Sequence, residues 1–543
     1  MRKTMRDLIH DTQATSIQSE GSIADDSSAN NLAIEKADFV RLGTLFKRLR
    51  DGLARQDFEW EGFRFNTKEY TYLNKECHIV LNEDRMGIHY VRAELTFYRE
   101  GDKSGKWVKC TYTLYQHNNS GPVLAFIGNP TTIVSGNNIR PIRVDDVSRF
   151  RESLSFYKLG FMLLRFIFAD QDFQWSKRTE KRIQRGDINV SNTQWALYLP
   201  SQYKVFDLGL LADLYCSRRM AGDKTMALAE YLGFEFATVL KNQQGELTGV
   251  FLVKKTGKNH VLTVNFYDKR QSVSNKKQSL TLTDLEMQLV NSALRLDITA
   301  HRPFLQSLIL AAYNHGKKLI AVQPKLRTKL KRFMTGNLQQ CNAYMICRAM
   351  SILAVQIKDD KLYGGSFTTW LMRRILEEEL HLISLLKYGT TQEDNKQNDE
   401  HAALLRIWRS QPFSSSSAFI KAIRESPQFN NISVSTVYRK RQEILDACGI
   451  DIFVPYTYWL DYDSLSRDYG LTFEERKERY RLSRDSKLSH AEFGRKTRQL
   501  DAKARKLLQA NSHRLLHSLQ LVAKPVEAAE LKARMLNDVV EAK

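Results

Sequence analysis

Two runs near the middle of the chain constrain its fold most: HVLTVNFYDK (residues 260–269) and LRLDITAHR (residues 294–302). In both, apolar residues alternate with polar ones, which is the two-residue period of a half-buried β-strand. The first run places Tyr267, Asp268 and Lys269 among its apolar residues, and the second does the same with Asp297. Because these side chains have acid, base or nucleophile chemistry, two such strands side by side would form a site.

The rest of the chain mixes strands and helices. Alternation and turn sequences such as GDKSG and HNNSG predict an antiparallel meander, with strands at residues 77–81, 89–98, 106–115 and 123–127. Further strands are predicted at residues 249–254, 260–267 and 294–300. Helical spacing predicts helices at residues 33–53, 148–168, 208–239, 282–291 and 302–315, the second of them buried against the meander. Without a regular βαβ repeat, this order predicts an α+β fold with a largely antiparallel sheet.

A chain of 543 residues is too long for a single hydrophobic core of ordinary size, which predicts roughly two to four domains. Residues 1–32 are polar and rich in Ser, Asn and Asp, as in a disordered arm. The first folded unit is expected at residues 33–316. A helical linker region follows at residues 317–400, whose polar run at 390–400 predicts a hinge or loop. A helix-turn-helix-like module is expected at residues 401–470, and a basic tail at 471–543 is either a solvated helix or a nonspecific phosphate-binding arm.

The charge of the chain favours a polyanionic partner. The formal net charge is +21, from 82 Lys and Arg against 61 Asp and Glu. Six scattered cysteines without a CxxC pair support neither a disulfide framework nor a zinc site, which fits a reducing, cytoplasmic setting. Membrane insertion and secretion are not expected, because the sequence has no run of roughly 18 apolar residues and no signal-peptide pattern. No GxxxxGK[ST] phosphate loop indicates NTP hydrolysis, and no His-apolar-His run is present.

Three short patterns carry candidate chemistry. In FYDK, Tyr267 and Lys269 are two residues apart and are expected on one strand face, where the ammonium favours the phenolate or holds a phosphate against it. In RGD, Arg185 and Asp187 are expected in a strand. In LRLD, alternation places Asp297 and Arg295 on the face opposite Leu294 and Leu296.

Two carboxylates from different strands can hold a divalent cation between them, since hard cations take oxygen ligands. Purely structural roles for the same residues remain open. Tyr267 can be an ordinary core or rim aromatic, and Asp187 and Asp297 can be salt-bridged surface residues next to their arginines.

The run STVYRKRQEILDACGI (residues 435–450) predicts a recognition helix. A cap at Ser433 or Ser435 begins the helix and Gly449 ends it, after a short helix at residues 417–425. Hydroxyl and guanidinium groups on one exposed face can reach base edges and phosphates in a major groove. The candidate DNA-binding residues are Ser435, Thr436, Tyr438, Arg439 and Arg441. The alternative is a basic surface helix in an ordinary bundle.

The order of these motifs resembles a known family. NPTTIVSGNNI (residues 129–139), RGDINV, LTVNFYDK, LRLD and the C-terminal STVYRKRQEILDACGI follow one another as in replication initiators of filamentous phages and related plasmid rolling-circle initiators. The resemblance covers roughly residues 123–305, with a fainter similarity at 432–450. It implies an HUH-like nuclease fold followed by a helix-turn-helix or winged-helix-like module. Asp297 stands where that family has an acidic residue, often Glu.

The resemblance also implies roles. Tyr267 would attack a phosphodiester at the origin, become linked to the 5′-phosphate and leave a 3′-OH primer, and Lys269 would stabilise the pentacovalent phosphate. Asp187 and Asp297 would be ligands for Mg²⁺ or Mn²⁺, and Arg185 and Arg295 phosphate or structural partners. The partners would be origin DNA, a host helicase and a host polymerase. A phosphotyrosine keeps the energy of the cleaved bond, so one enzyme can cut and rejoin without ATP.

Two other functions compete with this one. A non-enzymatic origin- or operator-binding protein is consistent with the basic charge and the helix at residues 433–449. A tyrosine transposase or relaxase would use the same chemistry on another substrate.

Overall fold

The computed structural model describes residues 30–53, 63–66, 71–99, 108–117, 121–129, 139, 150–168, 171–200, 208–221, 224–270, 273, 282, 287, 290–291, 293–363, 367–376, 395–410, 416–430, 432–448 and 452–453. The α-helices with described bounds are α1 Lys36–Leu53, α2 Phe150–Ile167, α3 Lys177–Arg185, α4 Leu208–Cys216, α5 Leu228–Tyr231, α6 Arg302–Val322, α7 Leu326–Met334, α8 Ala343–Leu353, α9 Phe367–Leu376, α10 Asn395–Ser410, α11 Ser416–Glu425 and α12 Val434–Cys448. None of the helices in this part of the chain is long and apolar enough to cross a membrane.

The first sheet has seven strands: β1 Asn30–Ala33, β2 Phe63–Asn66, β3 Thr71–Asp84, β4 Gly87–Arg99, β5 Val108–His117, β6 Gly121–Gly128 and β7 Asn189–Val190. Their order in the sheet is β2-β3-β4-β5-β6-β1-β7, and neighbouring strands are antiparallel. Strands β3 to β6 form the predicted meander. Alternate residues such as Leu95, Tyr112 and Phe126 are buried, which is the pattern that identified the strands.

The second sheet has five strands: β8 Asn192–Pro200, β11 Phe236–Lys241, β12 Leu247–Thr256, β13 Asn259–Tyr267 and β14 Ala293–His301. Their order is β11-β12-β13-β14-β8, again antiparallel. Two small hairpins pair β9 Arg219–Ala221 with β10 Lys224–Met226 and β15 Gln356–Lys358 with β16 Lys361–Tyr363. The described residues therefore confirm a mixed α+β architecture with antiparallel sheets.

Helices cover one face of each sheet. Helices α1 and α2 pack on the first sheet, where the Tyr112 hydroxyl donates to the Gly160 carbonyl oxygen at 2.6 Å. On the second sheet, buried Val264 and Leu296 face α6, and the ring of Tyr215 from α4 stacks on Phe266 with centroids 5.6 Å apart. The chain passes directly from β7 in one sheet to β8 in the other through Ser191.

Several expectations about local structure are corrected. The predicted disordered arm reached residue 32, but Asn30–Ala33 is a strand between β6 and β7, and Leu32 is fully buried. The helix expected at residues 208–239 is instead α4, a hairpin, α5 and strand β11, because β11 pairs with β12 across a short turn. The hinge expected at 390–400 is helical from Asn395 onward.

The boundary predicted between residues 316 and 317 falls inside α6, which runs from Arg302 to Val322. The region beyond it belongs to the same core, because Leu319, Phe333 and Ile346 are all buried in the cluster that includes both sheets. Backbone bonds also tie it there: the Val190 amide donates to the Cys341 carbonyl oxygen at 2.8 Å. The basic tail at 471–543, most of residues 130–149 and most of the predicted helix at 282–291 lie outside the described residues.

Candidate active site around Tyr267

The register of β13 and β14 sets the geometry of the candidate site. Tyr267 is the last residue of β13 and lies opposite Arg295, while Asn265 lies opposite Asp297. Asp297 is therefore the diagonal neighbour of Tyr267 on the same face, at a separation that long side chains can span. Strand β12 approaches from the other side, with Gly249 opposite Tyr267.

The side chains of Tyr267, Asp297 and Arg295 are joined by two hydrogen bonds. The Tyr267 hydroxyl donates to Asp297 Oδ2 at 2.9 Å. Arg295 Nε donates to Asp297 Oδ1 at 2.7 Å. The Arg295 side chain is 4% exposed and that of Asp297 12% exposed, so this ion pair is nearly dry. A buried guanidinium held on one carboxylate oxygen fixes the other oxygen toward the phenol.

Lys269 lies beside the same ring. Its Nζ is 5.6 Å from the centroid of Tyr267, and the residue is buried. The sequence predicted Lys269 on the strand, but β13 ends at Tyr267, and Lys269 reaches this position from the helical residues 269–270 that follow the strand. Asp268 points elsewhere and forms a bidentate pair with Arg270, with Nη2 to Oδ2 at 2.6 Å.

Asn265 was missed by the sequence analysis, although alternation places it on the face of Tyr267. Its side-chain oxygen is buried and has no hydrogen-bond partner among the described residues. A buried acceptor of this kind costs free energy unless something donates to it. Asn265 therefore adds an open acceptor beside Asp297.

Arg185 and Asp187 lie in a helix end and not in the strand that the sequence predicted. Arg185 is the last residue of α3, and Gly186 ends the helix in the left-handed region with φ of +73°. Arg332 of α7 binds both neighbours of this glycine, donating to the Arg185 carbonyl oxygen at 3.1 Å and to Asp187 Oδ1 at 3.0 Å. The Arg332 guanidinium also lies 3.8 Å from the centroid of the Tyr344 ring.

Asp187 and Asp297 are thus held by different cations on different elements. Asp297 lies opposite Ala196, four residues into β8, whereas Asp187 precedes the whole of that strand. At about 3.3 Å per residue, Ala196 lies roughly 13 Å along β8 from the first residue of that strand.

The described residues at Tyr267 do not fit a divalent cation well. Their single carboxylate already accepts from Tyr267 and Arg295, and two cations, Arg295 and Lys269, border it. No group of three or more potential His, Cys, Asp or Glu ligands occurs in the ranges that the structure describes.

Two histidines missed by the sequence analysis meet at the other end of β13 and β14. The rings of His260 and His301 have centroids 5.5 Å apart, and His301 Nε2 is 3.3 Å from Thr263 Oγ1. Burial lowers the pKa of both histidines, with Lys255 adding to the shift at His260 and His260 adding to it at His301. Both shifts favour the neutral imidazole. Seven residues of strand place His260 roughly 23 Å from Tyr267.

The helix α12 carries the predicted DNA-binding residues, but only part of them share its open face. Ser435, Tyr438 and Arg439 are exposed, together with Gln442, which the sequence analysis missed. Thr436 belongs to the helix start, where its amide donates to Ser433 Oγ at 3.1 Å, as the predicted cap requires. Arg441 turns aside, and its guanidinium lies 5.0 Å from the Phe453 ring centroid.

The inner side of α12 is anchored to α10. Lys440 is buried and forms an ion pair with Glu400, and His401 Nε2 is 2.7 Å from Glu443 Oε2. Burial lowers the pKa of His401, and the hydrogen bond with Glu443 opposes that shift. Residues 426–433 separate α11 from α12, which is longer than the three to four residues of an ordinary helix-turn-helix.

Comparison with known proteins yields no match to a family model, to a curated protein or to a solved structure.

Proposed function

We propose that this protein nicks and rejoins one strand of origin DNA through Tyr267 and thereby initiates rolling-circle replication. The observation that carries the proposal is the hydrogen bond of 2.9 Å from the Tyr267 hydroxyl to an Asp297 carboxylate that Arg295 holds in place. A general base must lie within about 2.6–3.2 Å of the proton that it removes, and Asp297 meets this requirement. The collinear motifs of the resembling initiators support the same assignment.

In the proposed reaction, Asp297 accepts the phenolic proton as Tyr267 Oη attacks the phosphorus. A bond forms between Oη and phosphorus, the bond from phosphorus to the 3′-oxygen breaks, and that oxygen takes up a proton from water to leave a free 3′-OH. Lys269 faces the charge on the pentacovalent phosphate. In joining, a 3′-hydroxyl loses its proton to water as it attacks the phosphotyrosine, the bond from phosphorus to Oη breaks, and the phenolate recovers its proton from Asp297.

We further propose that the second sheet is the core of an HUH-like nuclease domain and that α10, α11 and α12 form a helix-turn-helix or winged-helix-like module for duplex DNA. A host helicase would then unwind the nicked strand and a host polymerase would extend the 3′-OH. The resemblance implies dependence on Mg²⁺ or Mn²⁺, which stays a prediction that EDTA can test.

The test is covalent capture of DNA. Full-length protein is incubated with a randomised single-stranded oligonucleotide library and Mn²⁺, denatured in detergent, and analysed for a protein-DNA adduct whose DNA is sequenced. We expect wild type and Tyr363→Phe, a control at an exposed tyrosine of β16, to form the adduct. Tyr267→Phe should form none, and an adduct of undiminished yield from that variant would overturn the proposal.

A non-enzymatic origin- or operator-binding protein is the second candidate, favoured by the exposed Ser435, Tyr438 and Arg439 on α12. It predicts binding to one duplex sequence selected from a random library, with no covalent adduct under any condition. A tyrosine transposase or relaxase would give the adduct but would prefer a different selected sequence, without the hairpin of a rolling-circle origin.

A further inference from the structure

The segment from α6 to α8 is basic and contains no acidic residue. Between Asp297 and Asp359 the sequence has neither Asp nor Glu, while lysines and arginines recur throughout. Charges of both signs are usually interspersed on a protein surface, so a long stretch of one sign indicates an electrostatic role. The densest part of this stretch is α7, with the sequence LRTKLKRFM preceded by Lys325.

Helix α7 points its apolar side inward and its cations outward. Leu330 and Phe333 are buried, and Leu326 is half-buried on the same side. The exposed positions are Lys325, Arg327, Thr328, Lys329, Lys331 and Arg332. Thr328 is therefore the single uncharged side chain on the open face.

The cations form two flanks. Lys325 and Lys329 lie one turn apart on one side of the helix, and Arg327 and Lys331 lie one turn apart on the other, because residues four apart share a face. Within the described part of the chain, none of these four makes an ion pair. Thr328 lies at the crest between the flanks.

Neighbouring elements hold α7 in place through Arg332 and Arg348. Arg332 bonds to the α3 end and lies over Tyr344, as described above. Arg348 of α8 donates to the Lys329 carbonyl oxygen at 2.8 Å, with its guanidinium 5.0 Å from the Phe150 ring centroid. A rigid helix that keeps four unpaired cations exposed is preorganised for a polyanion.

We propose that α7 is a binding surface for the phosphate backbone of duplex DNA, separate from both the Tyr267 site and α12. An α-helix with its side chains is about 10–12 Å across. The major groove of B-DNA is about 12 Å wide and lies between two phosphate strands. Flanks of cations on both sides of α7, with Thr328 on the crest between them and Arg332 one turn further along that crest, match a groove bordered by phosphates on both sides.

Other polyanions fit less well. A bilayer surface requires an apolar face turned outward, whereas the apolar residues of α7 face the core. Single-stranded nucleic acid is bound by stacking on exposed aromatic side chains, and residues 325–332 contain none. The surface does not depend on Tyr267 being a nucleophile, so it stands apart from the nicking reaction.

The experiment compares two variants of equal charge in the full-length protein. In the α7 variant, Lys325→Gln, Arg327→Gln, Lys329→Gln and Lys331→Gln are combined. In the control, Lys36→Gln, Arg48→Gln, Lys109→Gln and Lys258→Gln remove the same charge from exposed positions scattered over α1, β5 and the β12–β13 turn. Fluorescence anisotropy measures binding of a 30-base-pair duplex of arbitrary sequence over a range of salt concentrations.

For the α7 variant we expect the slope of log K against log salt to fall by about 0.9 for each phosphate that the helix no longer neutralises. Because the variant removes four cations, the magnitude of the slope should decrease by up to roughly 3.6 and the affinity should fall at least about tenfold. In the control the slope should decrease by less than about 0.9, the value for a single phosphate. Equal changes in both variants, or an unchanged slope in the α7 variant, would overturn the proposal.

Further measurements test whether the variant surface is still folded and whether the partner is duplex DNA. A variant with Lys325→Arg, Lys329→Arg and Lys331→Arg should retain the wild-type slope, which a misfolded surface would not. A larger loss of affinity for a single-stranded 30-mer, or a loss confined to phosphatidylserine vesicles, would overturn the duplex assignment. Adduct formation with saturating single-stranded oligonucleotide should be unchanged in the α7 variant. Failure of the α7 proposal is therefore seen in the salt dependence of duplex binding, whereas failure of the nicking proposal is seen in the adduct yield.

Discussion

Around Tyr267 the charged side chains are buried and bonded to one another, whereas four exposed cations of α7 make no ion pair within the described residues and only Arg332 pairs, with Asp187. Arg295 and Asp297 have almost no exposed surface and share a hydrogen bond of 2.7 Å. Lys325, Arg327, Lys329 and Lys331 project from a helix whose apolar side is buried.

The difference follows from the cost of desolvation. Taking a charge out of water costs several kcal/mol, and a partner with good geometry must offset that cost. An exposed lysine has no such cost and needs no partner. The Tyr267 site is thereby rigid and specific in geometry, as a reacting group requires. The α7 surface acts at longer range and depends on salt, as nonspecific attraction to phosphate requires.

The sharpest way to break this comparison is Asp297→Ala. Removing the carboxylate takes the ion pair of 2.7 Å from a buried guanidinium, which should lower the free energy of unfolding by about 3–5 kcal/mol. The matched control is Asp187→Ala, whose pair with Arg332 is 39% and 46% exposed and should cost less than about 1 kcal/mol. Urea denaturation of both variants measures the difference, and equal costs would contradict the contrast between buried and exposed pairs.

Part of the Tyr267 site was accessible from the sequence. Alternation correctly gave strands at β13 and β14 and put Arg295 and Asp297 on one face. It could not give the register that sets Asp297 diagonal to Tyr267, because register depends on pairing across 30 residues that include a long intervening segment. The partner of Asp187 was also out of reach, since Arg332 lies 145 residues away along the chain.

The errors have a common physical origin. Residues 208–239 have helical spacing, but β11 is recruited into the sheet by β12, and tertiary pairing overrides local propensity. RGD resembled a strand because it precedes INV, yet the glycine serves as the left-handed end of α3. The basic α7 was assigned to a linker because charge alone does not reveal that Leu330 and Phe333 are buried in the main core.

Lys158 tests an intermediate case, a buried cation that makes no ion pair in the described part of the chain. Burial lowers its pKa to about 8 from 10.5, with Arg332 adding to the shift and Cys347 opposing it. Between these two pH values the unfolded chain binds more protons than the folded one, so stability rises with pH across that window. Below pH 8 Lys158 is protonated in the folded state, and burying this charge lowers the free energy of unfolding by on the order of 3 kcal/mol.

Lys158→Met removes that cost. We expect the variant to be more stable than wild type by up to about 3 kcal/mol at pH 7, with the advantage shrinking between pH 8 and 10.5. Urea midpoints of the two proteins at several pH values measure this, with Lys177→Met, an exposed position, as control. An advantage that does not vary with pH would show that packing and not charge is responsible.

Gly249→Ala probes how tightly the strands are drawn together at Tyr267. A Cβ at this position would lie 2.8 Å from the Phe266 carbonyl oxygen and 3.3 Å from Tyr267 Cβ. Because the first contact is with backbone, β13 must shift, at a cost of about 1–3 kcal/mol. Adduct yield should fall along with stability.

The control for that variant is Gly316→Ala in α6, where the nearest atom is the flexible Met334 Sδ at 3.2 Å. There the gain in helix propensity, up to about 1 kcal/mol, offsets a small adjustment of the methionine. Comparing the two by thermal unfolding and adduct yield separates the close approach at Tyr267 from the general effect of an added methyl group.

Arg439→Ala gives the smallest expected change, because Arg439 is exposed like the α7 cations yet shares a carboxylate, with its Nε 3.7 Å from Glu443 Oε1. Stability should change by less than about 0.5 kcal/mol. If α12 reads bases, affinity for a duplex selected from a random library should fall by about 1 kcal/mol and discrimination against mismatched duplexes should weaken.

The control is Lys421→Ala on α11, which removes a cation from an ion pair of the same spacing, also 3.7 Å. This variant should weaken binding to all duplexes equally or not at all. Competition binding with matched and mismatched duplexes separates the two cases, since a uniform loss with Arg439→Ala would make α12 a phosphate-binding surface like α7 and not a reader of sequence.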